Sequence, residues 1–315
     1  MKHEMKGELL LAEFLATPWA LMPERLNALT AVLGRWSRSQ PAGDDVLAQV
    51  MADREARQAK RQMAQSAGGA GIAVLPLYGI VTQRANMVDD VSGPGMTSTQ
   101  VFGAALRQAL LDDSVGQILI DIDSPGGSVY GVAELADQIQ SARASKPVVA
   151  IANSLAASAA YWIGCAAGEF YVTPGGEVGS IGVWQAHFDY SQAIASEGVK
   201  PTLISAGKYK VEGNPYEPLN DEARGFMQSR VDDYYGAFTK AVAKGRGLPV
   251  ASVRDGLGQG RVLGADAAVE QKMVDGISTF DDVVTQMQKR ARSPNRTVGR
   301  GASRLTQARN ALALI

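Results

Sequence analysis

GQILIDIDSPGGSVYGVAELADQIQSARASKPVVAIA, residues 116–152, reads as strand, helix and strand in succession. Its two apolar runs, GQILIDI and KPVVAIA, are short enough for buried strands. Between them Val132, Leu135, Ile139 and Ala142 recur on one helical face. That order predicts an α/β fold built on a buried parallel sheet. On either side, IAVLPLYGIV (72–81) and EFYVTP (169–174) read as further strands. LNDEARGFMQSRVDDYYGAFTKAVAKGRG (219–247) reads as a long amphipathic helix, with Asn220 or Asp221 as its cap and Gly245 or Gly247 as its stop. A last unit, GRVLGADAAVEQKMVDGISTFDDVV, occupies 260–284, and no repeat of solenoid period is present.

Ahead of the α/β region, residues 8–65 read as helical, so 1–65 is expected to be a helical N-terminal extension. SAGGAGIA follows, and residues 66–71 form a flexible joint. The α/β domain is expected over 72–290 and a flexible basic tail over 291–315. The chain has 315 residues, 46% of them hydrophobic and 20% charged, a composition suited to a globular protein with a sizeable core. Its net charge of −1 counts against a specific nucleic-acid binder. The charge is unevenly spread, because Val283–Ile315 holds seven Lys/Arg and no acid, which leaves 24 basic against 32 acidic residues before it.

One cysteine, Cys165, cannot form an internal disulfide, and nothing suggests an oxidising compartment. With two histidines, His3 and His187, neither a histidine-based zinc site nor a Ser-His-Asp triad is expected. LLLAEFLATPWALM (9–22) contains Glu13 and Pro18 and falls short of the roughly 20 apolar residues that cross a bilayer, so no integral span is expected.

Three stretches have the residue types for acyl chemistry. At Ser124-Pro125-Gly126-Gly127 a strand turns toward a helix beginning near Val129. The glycines allow a close backbone approach, and their N–H groups suit an oxyanion, though an ordinary strand-to-helix turn has the same letters. NSLAASAAYWIG (153–164) repeats the arrangement, placing Ser158 in the first turn of an alanine-rich helix. There it is either a reachable nucleophile or simply an N-cap, as Ser154 also could be. A serine nucleophile needs a base, and without histidine the remaining solution is lysine. SAGKYKVEGNP (205–215) offers Lys208 and Lys210. A lysine base must be neutral, and bringing its pKa from about 10.4 to 7–8 requires roughly 4 kcal/mol of differential solvation, supplied by burial.

DSPGGSV, NSLAASAAYWIG, GEVGSIGV, SAGKYKVEGNP and GRVLGADAAVEQKMVDG resemble, in order and approximate spacing, the motifs of the signal peptide peptidase A family of serine proteases. That family includes membrane-bound bacterial enzymes and soluble phage or prophage capsid maturation proteases. The likeness covers about residues 72–290. It implies a Ser-Lys dyad of Ser158 and Lys210, with Ser180 placed to hydrogen-bond the lysine. It also implies an oxyanion hole from the Gly126/Gly127 segment, Gly126 being favoured, with Ala159 as second donor. The implied fold is a crotonase-like or Clp-protease-like superhelix of ββα units, and no metal or cofactor is implied.

A single motif set without an anchor fits the phage branch, whose substrates are scaffold and capsid proteins in the bacterial cytoplasm or the assembling prohead. It also implies a homo-oligomeric ring, in which the serine and lysine of a site come from one subunit or from adjacent ones. The competing readings are a membrane-associated signal-peptide-degrading peptidase, a crotonase-type acyl-CoA enzyme and a non-catalytic assembly or scaffold factor. Cys165 is expected to be a small buried residue, Trp162 and Trp184 core or groove wall, and His187 a local hydrogen-bonding group.

Overall fold

The computed structural model describes residues 17–22, 71–84 and 96–292. Its larger sheet is built from β2 (Ile72–Tyr78), β5 (Gln117–Ser124), β7 (Val148–Ala157), β8 (Glu169–Val172), β9 (Glu177–Gly179), β10 (Val262–Gly264) and β11 (Gly276–Ile277). The order β10-β9-β7-β5-β2 runs along it, and β8 lies between β7 and β11. Strands β2, β5, β7, β8 and β9 pair in parallel, while β10 closes one edge antiparallel to β9. A second, four-stranded sheet has the order β1-β6-β3-β4, from β1 (Trp19–Leu21), β6 (Gly126–Ser128), β3 (Ile80–Thr82) and β4 (Met96–Ser98). The result is a mixed α/β protein with parallel sheets, as the strand–helix–strand reading predicts.

Alternation along the strands separates two apolar layers. Ile118, Ile120 and Ile122 of β5 enter the main core with Phe102 and Leu106 of α1 (Thr99–Leu111), Leu135 and Ile139 of α2 (Val132–Ala142) and Trp162 of α3 (Ala159–Gly164). Leu119, between them, points the other way, into a cluster with Ile72, Val149 and Ile151, completed by Val283, Val284 and Met287 of α8 (Phe280–Arg292). The shorter helices are α4 (Ser191–Ser196), α6 (Val250–Asp255) and α7 (Ala265–Glu270), the last two with buried residues in the main core. The long helix α5 (Asp221–Arg246) starts where Asn220 Oδ1 accepts from Ala223 N–H at 2.8 Å and ends at Gly247, φ 64°, which resolves both sequence alternatives. Phe238 of α5 stacks on Trp162 with centroids 4.8 Å apart.

Two local expectations are corrected. The chain after β5 does not turn directly into a helix near Val129: Gly126–Ser128 is a strand between β1 and β3, and α2 begins at Val132. Backbone pairing on both sides extends these residues, so the glycines lie in a sheet rather than at a helix start. Within the segment read as helical, Trp19–Leu21 is a strand. Pro18 has no N–H to give a helix, and the peptide groups that follow find partners on β6 instead. Outside 17–22, the predicted extension lies beyond the described residues, as do the 66–70 part of the joint and the tail beyond Arg292.

An ion pair locks α5 to the sheet. Arg246 grips Asp275 with two hydrogen bonds, 2.8 and 3.0 Å, and Asp275 also accepts from Phe170 N–H of β8 at 2.7 Å. Burial by itself would raise the Asp275 pKa, but the bonds from Arg246 and Phe170 outweigh it and hold the carboxyl below its ordinary value. A depressed carboxyl stabilises the fold above its unfolded pKa, near 3.9, and loses that contribution as pH falls through the lower folded value. Because the Asp275 side chain is 40% exposed, solvent screening holds the contribution to about 1 kcal/mol. Asp275→Asn is therefore expected to lower Tm by about 2–4 °C at pH 7, a difference that fades in thermal melts as the pH falls through the lowered folded pKa.

Candidate active site

Strand β7 carries its pairing past a bulge. Its first half pairs with β8 and its last three residues with β9, and the register against β5 shifts between Ile122 and Ser124. The strand runs without a loop into Ser158, which stands between Ala157 and the first residue of α3. Ser158 has φ 55° and ψ −118°, a conformation that costs a non-glycine residue on the order of 1–3 kcal/mol. Two backbone bonds hold it there: Ser158 N–H donates to Gly179 O at 2.7 Å, and Trp162 N–H donates to Ser158 O at 2.9 Å. The side chain makes no capping bond to α3, and its hydroxyl lies 3.5 Å from Gly182 O. The serine is therefore at a helix start without doing the work of a cap.

Next to Ser158, in sequence or in space, the fold places three of the predicted residues. Ala159, the first residue of α3, has a backbone N–H that no intrahelical carbonyl accepts. Ser180 follows Gly179, whose carbonyl binds Ser158, and has φ 54° and 6% exposure. Gly126, at φ 97°, is so close that a Cβ placed on it would be 2.9 Å from Ser158 Cβ and 2.9 Å from Ala157 O. Only glycine fits there. Gly126 N–H donates to Ser124 Oγ at 3.2 Å. Gly127 faces elsewhere: its imagined Cβ would lie 1.8 Å from Val81 O, so this glycine is explained by the contact of β6 with β3.

Within one chain neither lysine hydrogen-bonds to the serine. Lys208 is exposed and donates to Glu222 Oε1 at 2.7 Å and to Tyr209 Oη at 2.8 Å. The Glu222 hydrogen bond first, and the Tyr209 one second, raise its pKa, so Lys208 stays an ammonium. Lys210 is exposed on the next turn, with its backbone N–H bonded to Gly207 O at 3.1 Å, and no hydrogen bond joins its side chain to Ser158 or Ser180. The turn is tied to the segment after Ser180 by His187 Nε2 with Asn214 O, 3.0 Å, and by Tyr190 N–H to Pro215 O, 2.8 Å. His187 thus has the local hydrogen-bonding role expected of it.

Burial pushes the Cys165 thiol up to about 12, so this side chain is no second nucleophile. Trp162 is core. Trp184, half-buried, packs against Trp19, Leu21 and Ile80, pairs with Trp19 through the backbone, and donates Nε1–H to Leu21 O at 2.9 Å. The sequence reading missed that contact, for which the bracketing prolines of PWALMP, residues 18–23, were the available signal. Among the described residues no group of His, Cys, Asp and Glu is placed to hold a metal ion, and no helix is long and apolar enough to cross a membrane.

The profile of Peptidase family S49 matches residues 140–293. The chain is 39% identical over 217 residues to "Capsid assembly protease C" of Escherichia phage lambda, covering 69% of this chain and 48% of that one. It is 37% identical over 217 residues to "Head-tail preconnector protein GP5" of Enterobacteria phage P21, covering 69% and 42%. The matches thus span less than half the length of these two phage relatives. With "Putative protease MJ0651" of Methanocaldococcus jannaschii it shares 31% identity over 228 residues, 72% of this chain and 73% of the relative. A match of that identity through nearly three quarters of both chains, joined to the profile match across the serine-bearing half, means that the chain belongs to peptidase family S49.

Proposed function

We propose that this protein is a serine endopeptidase in which Ser158 is the nucleophile and Lys210 the general base, acting as a homo-oligomeric ring on scaffold and capsid proteins of an assembling phage head in the bacterial cytoplasm. The observation that carries the reading is the backbone at Ser158. A strained conformation is maintained at a serine whose hydroxyl caps nothing, next to a glycine that lets another backbone approach. The capsid assembly protease of phage lambda supports the choice of substrate. Family membership also supports a Clp-protease-like superhelix of ββα units as the finer description of the fold.

In the reaction, neutral Lys210 takes the Ser158 proton as Oγ attacks the peptide carbonyl. The oxyanion is held by Ala159 N–H and by Gly126 N–H, whose present bond to Ser124 Oγ is long enough to be exchanged. Collapse expels the amine, which takes its proton from the lysine, and a water activated by the same lysine releases the acyl group. Ser180 orients the amine. Lys208, held as a cation by Glu222, is not the base.

The ring follows from what Lys210 lacks. A lysine works as a base only in a dry site, and in one chain Lys210 is exposed. The surface near it in sequence, or on the first turns of α5, leaves Val199, Leu203, Tyr209 and Phe226 exposed, with Ile204 at 96%. A neighbouring subunit covering this face would bury that apolar surface, exclude water from the amine and bring it to the neighbour's serine.

A peptidyl fluorophosphonate tests the site directly. It is expected to label Ser158 in the assembled protein, as read by mass spectrometry of the modified peptide, and to label the Lys210→Ala variant at most slowly. Modification confined to other serines would remove Ser158 from its role.

A further inference from the structure

The strand beside the nucleophile belongs to a distant part of the chain. Trp19, Ala20 and Leu21 pair antiparallel with Ser128, Gly127 and Gly126, and Met22 N–H extends the pairing to Pro125 O at 3.1 Å. The other edge is held as well: Trp19 N–H donates to Trp184 O at 2.8 Å, and Trp184 N–H donates to Trp19 O at 3.0 Å. The segment thus lies between two backbone rails. Its position is set by Gly126, where an imagined Cβ would be 2.3 Å from Ala20 O and 2.9 Å from Ser158 Cβ. A main-chain carbonyl of this strand and the nucleophilic residue flank the same point, and Ser158 is left only 1% exposed.

We propose that Trp19–Leu21 is a built-in occupant of the peptide groove, lying where an extended substrate pairs with β6 and leaving before a substrate reaches Ser158. The proposal rests on the peptidase reading of the site and adds to it both a regulation and a substrate pattern. Pairing through main-chain groups on two sides is the way a groove accepts an extended peptide irrespective of much of its sequence. Selectivity comes from the alternation of side chains. Trp19 and Leu21 pack on one face with Ile80 and Trp184. Ala20, 0% exposed, enters the main core cluster that also contains Ala156 and Ala159, where a larger side chain has no room. The groove therefore takes an extended segment with large apolar residues on either side of a small one.

Three residues of pairing form a short element, and Pro18 ends the N–H donors on one side. Such a strand acts by being tethered, at an effective concentration in the millimolar range. If it fills the groove about 99% of the time, the apparent affinity for a free peptide falls about a hundredfold.

The test uses the full chain with Ser158→Ala, so that no turnover intervenes, and an acetylated peptide with the sequence of residues 17–23. Hydrogen exchange read at Trp19 and Met22 is expected to show both amides losing protection as the peptide binds, while β5 and β7 keep theirs. Trp19→Ala in the same background is expected to bind the peptide at least about tenfold more tightly. Exchange on the unchanged N-terminal sequence keeps the test decisive if that variant does not fold. Binding with Trp19 and Met22 still protected, or no binding at millimolar peptide, overturns the proposal. Failure of the peptidase reading has a different signature, cleavage that survives Ser158→Ala, and leaves the exchange result standing.

Discussion

Ser158→Ala and Lys210→Ala are each expected to reduce cleavage of an unfolded protein substrate by about ten-thousandfold or more, the loss that follows when one member of the proposed nucleophile–base pair is removed. Lys208→Ala, by contrast, retains most activity, because its amine is held charged by Glu222 on an exposed surface. The two inactive variants also report where the dyad forms. In one chain no hydrogen bond joins Lys210 to Ser158, and under the proposed ring a subunit lacking only the serine and a subunit lacking only the lysine are expected to complement each other. Random equimolar assembly restores about one quarter of the sites when each site draws its serine and its lysine from neighbouring subunits. Measured after unfolding and reassembly together, recovery near that fraction supports a shared site. No recovery with rings fully formed places both groups in the same subunit, and unaltered cleavage by either single variant refutes the dyad.

Gly127→Ala has the second large effect, and it acts on the fold. The added methyl would lie 1.8 Å from Val81 O and 2.6 Å from Val81 N and C, all backbone atoms of a paired strand that no rotamer change can move. Overpacking against main chain is expected to remove about 3 kcal/mol or more, and with it the seating of Gly126 beside Ser158. A drop in Tm of about 6–12 °C, with cleavage falling in parallel, is the expected result. Gly236→Ala is the control. Nothing lies within 4 Å of that position in the middle of α5, so the substitution is expected to stabilise by up to about 1 kcal/mol. A Gly127→Ala chain as stable as the parent would mean that β6 and β3 are not in contact as described.

The layout of the α/β region was legible because its signals are local. Apolar runs of strand length, the 3.6-residue spacing of Val132, Leu135, Ile139 and Ala142, and the Asn220 and Gly247 caps are each contained within one element. Ser158 was legible as a candidate for the same reason, since alanines on both sides leave space around it. Its backbone conformation was not, because φ 55° results from Gly179 O and Gly126 pressing from other strands. The glycine segment was misread as a helix entry: its neighbours in sequence suggest a turn, and its partners in space, β1 and β3, make it a strand.

What the sequence determined by itself was thus the α/β class, the elements and a short set of chemically able side chains, all properties of spacing along one chain. Only the tertiary structure decided which of them meet. It brought Ser158, Ala159, Ser180 and Gly126 together, held Lys208 on Glu222, left Lys210 at the surface and laid Trp19–Leu21 beside Ser158. The physical reason is that contacts between residues on different strands and helices depend on sheet order and strand register, which no local pattern encodes.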